Sequence, residues 1–238
     1  MKLEFDRFRL AAATADLADE PAARAHADAV EFRMDLASDP LDALAGYDGL
    51  LPLVATNRAA WEGGEAAADE TARLRALRGA VTHEAVAAVD VEHAALGTTA
   101  GARTASHARD NDTQVIASAH NFERTPAPPT LRNTIARCAR AGDVGKVAVR
   151  AVDPDDALTV LLATRAAACA GERVATMAMG EAGRHTRALA PVYGSRIGYA
   201  PVDPADATAP GQYELGTLRR LVDDLTSKQI ETAGRLCK

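Results

Sequence analysis

Lysine is nearly missing from this chain. Of its 27 basic residues only Lys2, Lys146, Lys228 and Lys238 are lysines, and the other 23 are arginines. Aromatic residues are also scarce, at 4%. No run of 18 apolar residues occurs, so no segment reads as a membrane-spanning helix. The three cysteines, Cys138, Cys169 and Cys237, show neither CxxC nor zinc-finger spacing, which excludes a disulfide scaffold and fits reduced thiols. An excess of positive charge is lacking too. The net charge is −6, and no basic stripe is present to neutralise phosphates, which argues against a binder of duplex nucleic acid. The N-terminal MKLEFDRFRL carries charge where a signal peptide needs an apolar stretch, and the expectation is a soluble cytoplasmic protein.

What is present is ordinary for a globular protein: 238 residues, 47% hydrophobic and 25% charged. No Pro/Ser-rich linker or break in composition divides the chain, so residues 1–238 read as one domain. Alanine contributes 55 residues, and Asp outnumbers Glu 20 to 13. A GC-rich genome and an acidic, lysine-poor surface hydrated at high salt both account for this bias.

Short apolar runs recur along the chain between turn signals. Strands are predicted over 8–15, 29–36, 50–57, 86–93, 114–122, 145–152, 173–180 and 192–200. Helical patterns lie between them, including 65–80, a segment opening at Pro128-Pro129-Thr130, and 153–171, which has acids in its first turn and Gly171 beyond its end. The tail from 203 begins as a loop and ends as an amphipathic helix. Eight βα units in this length match a (β/α)8 TIM barrel. An open doubly wound sheet for a nucleotide would need a glycine-rich first turn, and ATADLADEPAA has no glycine.

Several familiar motifs fail on inspection. AGDVGKV has Arg140 and Val147 where a phosphate loop needs Gly and Ser/Thr, and Ser195 in GSRIG stands one place too early for a nucleophile elbow. No HExxH occurs, and the one barrel-compatible metal set, Glu92, His120 and His185, is weaker than a metal-free reading.

In a barrel, chemistry gathers at the C-terminal ends of the strands. The ionisable residues inside or just beyond the apolar runs are Glu31, Arg33, Arg58, Asp90, Glu92, His120, Lys146 and Arg187. Glu31 and Arg33 share a face and suit an internal ion pair. Asp90 reads as structural, and Met177 and Met179 as core filler. Lys146 is harder to explain in a chain that otherwise writes Arg. Arginine stays protonated, whereas a buried lysine can lose its proton, helped by nearby cations such as Arg33, Arg58 and Arg187. A neutral amine attacks a carbonyl to form a Schiff base. Glu92, His120 and Lys146 lie on three consecutive strands at similar heights, so a carboxylate could orient the histidine and the histidine could move a proton beside an imine.

These segments together resemble the type I 3-dehydroquinate dehydratases of the shikimate pathway. The matching stretches are VEFRMD (30–35), LVATNRAAWEGG (53–64), VDVEH (89–93), IASAHNFERTP (116–126), GKVAV (145–149), MAMGEAGRHTR (177–187), YGSRIGYA (193–200) and APGQ (209–212). The resemblance implies a (β/α)8 barrel, a homodimer, and no metal or organic cofactor. It implies dehydration of 3-dehydroquinate to 3-dehydroshikimate in aromatic amino acid biosynthesis. By position it makes Lys146 the Schiff-base lysine, His120 the general acid/base and Glu92 its carboxylate partner. Glu31, Arg33, Arg58, Arg187, Thr208 and Gln212 become substrate-binding residues, with APGQ as a flexible lid. An aldolase-like lyase would share Lys146 without needing His120, Glu92 and APGQ together. A catalytically dead barrel would have lost one of the three catalytic residues, and all three are present.

Overall fold

The computed structural model describes residues 1–66 and 69–227; Lys228, Cys237 and Lys238 lie outside them. Eight strands form one parallel sheet: β1 Arg9–Thr14, β2 Ala29–Arg33, β3 Leu53–Thr56, β4 Val86–Glu92, β5 Gln114–Asn121, β6 Val144–Arg150, β7 Val174–Met179 and β8 Ile197–Pro201. Their order is β7-β6-β5-β4-β3-β2-β1-β8, and a bridge between Val174 and Ser195 joins the two ends into a ring. This is the (β/α)8 TIM barrel expected from the spacing of apolar runs. At the joint the Arg196 amide donates to the Val174 carbonyl (2.7 Å), while the Thr176 amide donates to Ser195 Oγ (3.2 Å) rather than to a strand carbonyl.

Side chains alternate across each strand, and that alternation sorts the core into two shells. Inside the ring, Ala11, Ala29, Val54, Ala88, Ile116, Val144, Ala175 and Ile197 pack with Leu3 and Phe5 from the N-terminal segment. Outside it, Val89 and Val91 meet Leu74 and Leu77 of the helix Glu70–Val81. Val147 and Val149 meet Leu131, Ile135 and Cys138 of the helix Pro128–Ala141, and Leu10 and Ala200 meet Leu215, Leu218 and Val222 of the helix Leu215–Thr226.

The apolar interior stops partway along the strands. Two residues further toward their C-terminal ends, the inward positions become Glu31, Thr56, Asp90, Ser118 and Lys146, all buried. Charge at these positions is costly unless paired, so the sequence has committed this end of the barrel to a polar network.

Two elements depart from expectation. The last strand begins at Ile197 rather than near 192, because Ala190–Tyr193 form a 3-10 turn ended by Gly194 at φ 105. The predicted helix 65–80 starts only at Glu70, capped by Asp69, whose side chain accepts from the Thr71 and Ala72 amides. The helix Thr99–Asp110 fills the β4–β5 connection, where a helix is expected but no bounds are predicted. It buries only Gly101, Thr104, Ala105 and Ala108, a face too small and polar to show as a leucine period.

Candidate active site

Eight of the nine candidate residues line one cavity at the C-terminal mouth of the barrel. Glu31, Arg33, Arg58, His120, Lys146, Arg187, Thr208 and Gln212 share it with Gly63, Phe122, Met177, Met179 and Tyr199. Glu92 is the exception.

Lys146, midway along β6, is 3% exposed. Its Nζ donates to Asp90 Oδ2 (2.7 Å) and Glu31 Oε1 (3.2 Å) and lies 4.1 Å from the centre of the Tyr199 ring. The expected surround of cations is thus corrected: two carboxylates touch the amine, Arg33 is paired with Asp35, and Arg58 reaches Lys146 only through the shared Asp90 carboxylate. Alternation explains this, since Asp90, Ser118 and Lys146 all point into the barrel. Asp90, opposite Ile116, is one inward position below Ser118 and Lys146, which pair with each other. Ser118 Oγ donates to Asp90 Oδ1 (2.5 Å), and Arg58 Nη2 reaches Asp90 Oδ2 at 3.4 Å. Burial alone would lift the Asp90 carboxyl, but Lys146, Arg58 and Ser118 outweigh it and hold the group below its ordinary range.

The expected Glu31–Arg33 ion pair is not formed. Glu31 accepts from Thr56 Oγ1 (3.0 Å) and Lys146, while Arg33 makes a two-pronged pair with Asp35, at 2.9 and 2.7 Å. The chain turns between Arg33 and Asp35, bringing those two side chains together beyond the strand.

The partner of His120 is the main correction. His120 Nδ1 lies 2.8 Å from Glu62 Oε2, and its ring stacks on Phe122 with centroids 6.0 Å apart. Glu92 instead accepts the Ala59 amide (2.9 Å) and pairs with Arg73 Nη2 (2.8 Å). It ends β4 and is drawn toward the helix Glu70–Val81, away from His120. Glu62 escaped sequence reasoning because it lies in the β3 loop, where strand register says nothing about direction. The available signal was Arg58-Ala-Ala-Trp-Glu62-Gly-Gly. Gly63 takes φ 76, and a Cβ on Gly64 would sit 2.2 Å from the Arg58 carbonyl oxygen, so only this glycine pair lets the loop fold back and aim Glu62 inward.

Burial, with Arg58, Lys146 and Arg33 nearby, pushes the His120 imidazole well below its usual value, so the ring is neutral. Burial and the Glu92 charge push the Glu62 carboxyl up to about 8. When Glu62 is ionised it accepts from Nδ1–H and leaves Nε2 as a base; when protonated it donates to Nδ1 and that lone pair is lost.

Arg187, 4% exposed, has no carboxylate partner among the described residues. Its Nη2 donates to the Pro210 carbonyl (3.2 Å), its Nε is unpaired, and burial lowers it to about 10. The Ala209–Gln212 loop docks beside it: Gly180 donates to Pro210 (3.2 Å), and Gln212 Oε1 accepts the Ala209 amide (3.0 Å). His185 is exposed, so the metal set Glu92, His120 and His185 is not brought together. Among the described residues no group of three His, Cys, Asp or Glu side chains is arranged to hold a metal.

This pairing of a buried lysine with a carboxylate-bound histidine coincides with a family match. Residues 10–229 fit the profile of type I 3-dehydroquinase. The chain belongs to that family. It is therefore a hydro-lyase of the type I 3-dehydroquinate dehydratase class. The 3-dehydroquinate dehydratase of Haloarcula marismortui is 57% identical over 94% of this chain and 99% of its own length. That of Haloquadratum walsbyi is 50% identical over 96% and 97%. The crystal structure of the Geobacillus kaustophilus 3-dehydroquinate dehydratase superposes with a TM-score of 0.83 at 27% identity, covering 93% of this chain and 92% of that one.

Proposed function

We propose that this type I dehydratase converts 3-dehydroquinate to 3-dehydroshikimate and water through a Schiff base on Lys146, within aromatic amino acid biosynthesis. The observation that carries the reading is a single cavity holding a buried amine on two carboxylates, a neutral histidine on a third, and an arginine with no anion. Attack on the ketone carbon requires the amine to lose a proton, and Asp90 and Glu31 are the carboxylates in contact to take it. Addition and loss of water then give an iminium, which draws electrons from the neighbouring C2–H bond. His120 removes that proton, and the pair of electrons moves into the enamine. The same proton leaves with the C1 hydroxyl as water, after which a second water hydrolyses the imine and frees Lys146. Arg187 supplies the guanidinium that grips the substrate carboxylate, with Arg58, Arg33, Thr208 and Gln212 completing the pocket.

The same resemblance leads us to propose a homodimer acting in the cytoplasm, with no metal or organic cofactor. Among the described residues no helix is long and apolar enough to cross a membrane.

Borohydride reduction in the presence of 3-dehydroquinate, followed by peptide mapping, tests the mechanism. The expected result is a stable adduct on Lys146 and near-complete loss of turnover in Lys146→Arg, which keeps the charge and removes the nucleophile. An enzyme that traps no adduct, and turns over normally as Lys146→Ala, would refute it.

A further inference from the structure

Glu92 and Arg73 form a buried assembly that the proposed chemistry does not use. Arg73 is 4% exposed and Glu92 1%. Arg73 Nη1 donates to the Asn57 carbonyl (2.6 Å) and to Glu92 Oε1 (3.2 Å), while Nη2 pairs with Glu92 Oε2 (2.8 Å). Asn57 returns a bond from its Nδ2 to the Arg73 carbonyl (3.1 Å), and Glu92 Oε1 takes the Ala59 amide (2.9 Å). Apart from the Arg73–Glu92 contacts themselves, these bonds end on Asn57 and Ala59, at the root of the β3 loop.

Beyond that root the loop is closed on itself. Gly64 donates to the Ala59 carbonyl (3.0 Å) and Ala66 to the Arg58 carbonyl (3.2 Å), and Gly63 packs on the Phe122 ring. A shift of the root therefore carries Arg58 and Glu62 with it as one piece. A buried ion pair seldom stabilises a protein more than apolar packing of the same volume, so stability alone is a poor reason for this pair. Geometry supplies a better one, because a misplacement of about 1 Å in a catalytic group can cost on the order of a hundredfold in rate.

We propose that Glu92 and Arg73 are positioning residues, whose ion pair fixes the 57–66 loop so that Glu62 meets His120 Nδ1 and Arg58 meets Asp90. The inference rests on the Schiff-base reading above and deepens it. The charged and titratable groups around Glu62 are His120 from β5, Asp90 and Glu92 from β4, Arg58 from its own loop and Cys138 from the helix Pro128–Ala141. Among these Glu92 is a negative charge outside the cavity wall that raises the Glu62 carboxyl, so its removal favours ionised Glu62. Arg73 keeps a carboxylate in that variant, since its Nε and Nη2 also donate to Glu70 at 2.9 and 2.6 Å.

The test compares Glu92→Gln and Arg73→Lys with Glu20→Gln, a control of like chemistry. Glu20 is a buried carboxylate that accepts the Leu50 and Leu51 amides (3.0 Å each) and Arg24 (2.6 Å), and it lines no part of the active cavity. Each variant is assayed for kcat, KM, the pH profile of kcat/KM, the melting temperature and the borohydride adduct. Glu92→Gln is expected to lower kcat roughly tenfold to a hundredfold. KM should change little, the adduct on Lys146 should still form, and the acidic limb should move down by about one pH unit. Arg73→Lys, which keeps the charge but not the fork, should lower kcat with a smaller shift of the limb. Glu20→Gln should lose stability with an unmoved limb. Folded Glu92→Gln and Arg73→Lys with wild-type kcat and an unmoved limb would overturn the proposal, as would equal limb shifts in all three variants. If Glu92→Gln does not fold, the kcat and pH profile of Arg73→Lys decide alone. Failure of the Schiff-base reading looks different, since the wild type would then trap no adduct.

Discussion

Raising the pH from 7 to 9 should increase kcat/KM for 3-dehydroquinate by about tenfold. The perturbation acts on Glu62, whose carboxyl is lifted to about 8 by burial and the Glu92 charge. His120 is already neutral across this range, because burial and the surrounding cations hold it well below its usual value. Only the form with ionised Glu62 leaves Nε2 free as a base, since Nδ1–H must point at the carboxylate 2.8 Å away. For a group with its midpoint near 8, about one molecule in eleven is in that form at pH 7 and about ten in eleven at pH 9. Initial rates at low substrate report the free enzyme, so kcat/KM is the quantity to follow. Glu62→Gln supplies the matching control. The Gln amide oxygen still accepts Nδ1–H, so the ring stays oriented, but nothing titrates. Gln carries no charge to stabilise the imidazolium formed when Nε2 takes the proton, so that variant should lose on the order of a hundredfold in kcat and show no limb between pH 7 and 9. A flat wild-type profile over this range, or a limb that survives in Glu62→Gln, would refute the assignment of this titration to Glu62.

Arg187→Met should raise KM on the order of a hundredfold while leaving the melting temperature equal or higher, because it removes a buried charge with no carboxylate partner in the described structure. Gly211→Ala places a Cβ about 2.5 Å from the Gly180 carbonyl oxygen at a φ of 76, so the loop carrying Gln212 must shift. Steady-state kinetics should show KM raised several-fold, and calorimetry a stability loss of about 1–3 kcal/mol. If the acidic, lysine-poor composition reflects salt adaptation, the melting temperature should rise between low and molar KCl; no rise leaves genome composition as the explanation.

The barrel was legible because parallel strands buried on both faces are apolar runs, and the chain punctuates them with turn residues. Lys146 was legible for a chemical reason, as an amine kept in a chain that avoids lysine. The bounds of the helix Thr99–Asp110 were hidden by the smallness of its buried face. The identity of the carboxylate on His120 was hidden for a different reason. Strand order and register place Glu92 near His120, yet a side chain at the end of a strand can turn either way, and Arg73 and the Ala59 amide draw it outward. Glu62 reaches His120 through a fold in a loop, and such a path is invisible to periodicity. The carboxylates around Lys146 were misjudged similarly, since Asp90 reads as structural until its distance to the amine is measured.

The ring of strands is joined at β7 and β8 by one bridge and a serine hydroxyl, while the other neighbouring pairs share full ladders. Those two strands carry Met177, Met179 and Tyr199 into the cavity, and the loops after them carry Arg187, Thr208 and Gln212. The seam between β7 and β8 is thus the thinnest in the ring, although β7 keeps a six-residue ladder with β6 and β8 a five-residue ladder with β1. Strands β4, β5 and β6, which carry Asp90, His120 and Lys146, are laddered on both sides. Under the proposed Schiff-base course, a substrate passing from ketone to iminium to enamine would have fully laddered strands behind its reacting groups and the thin seam on the other side. The circle of hydrogen bonds is left thin beside Arg187, Thr208 and Gln212, the residues proposed to bind, and is complete around His120 and Lys146, the residues proposed to react.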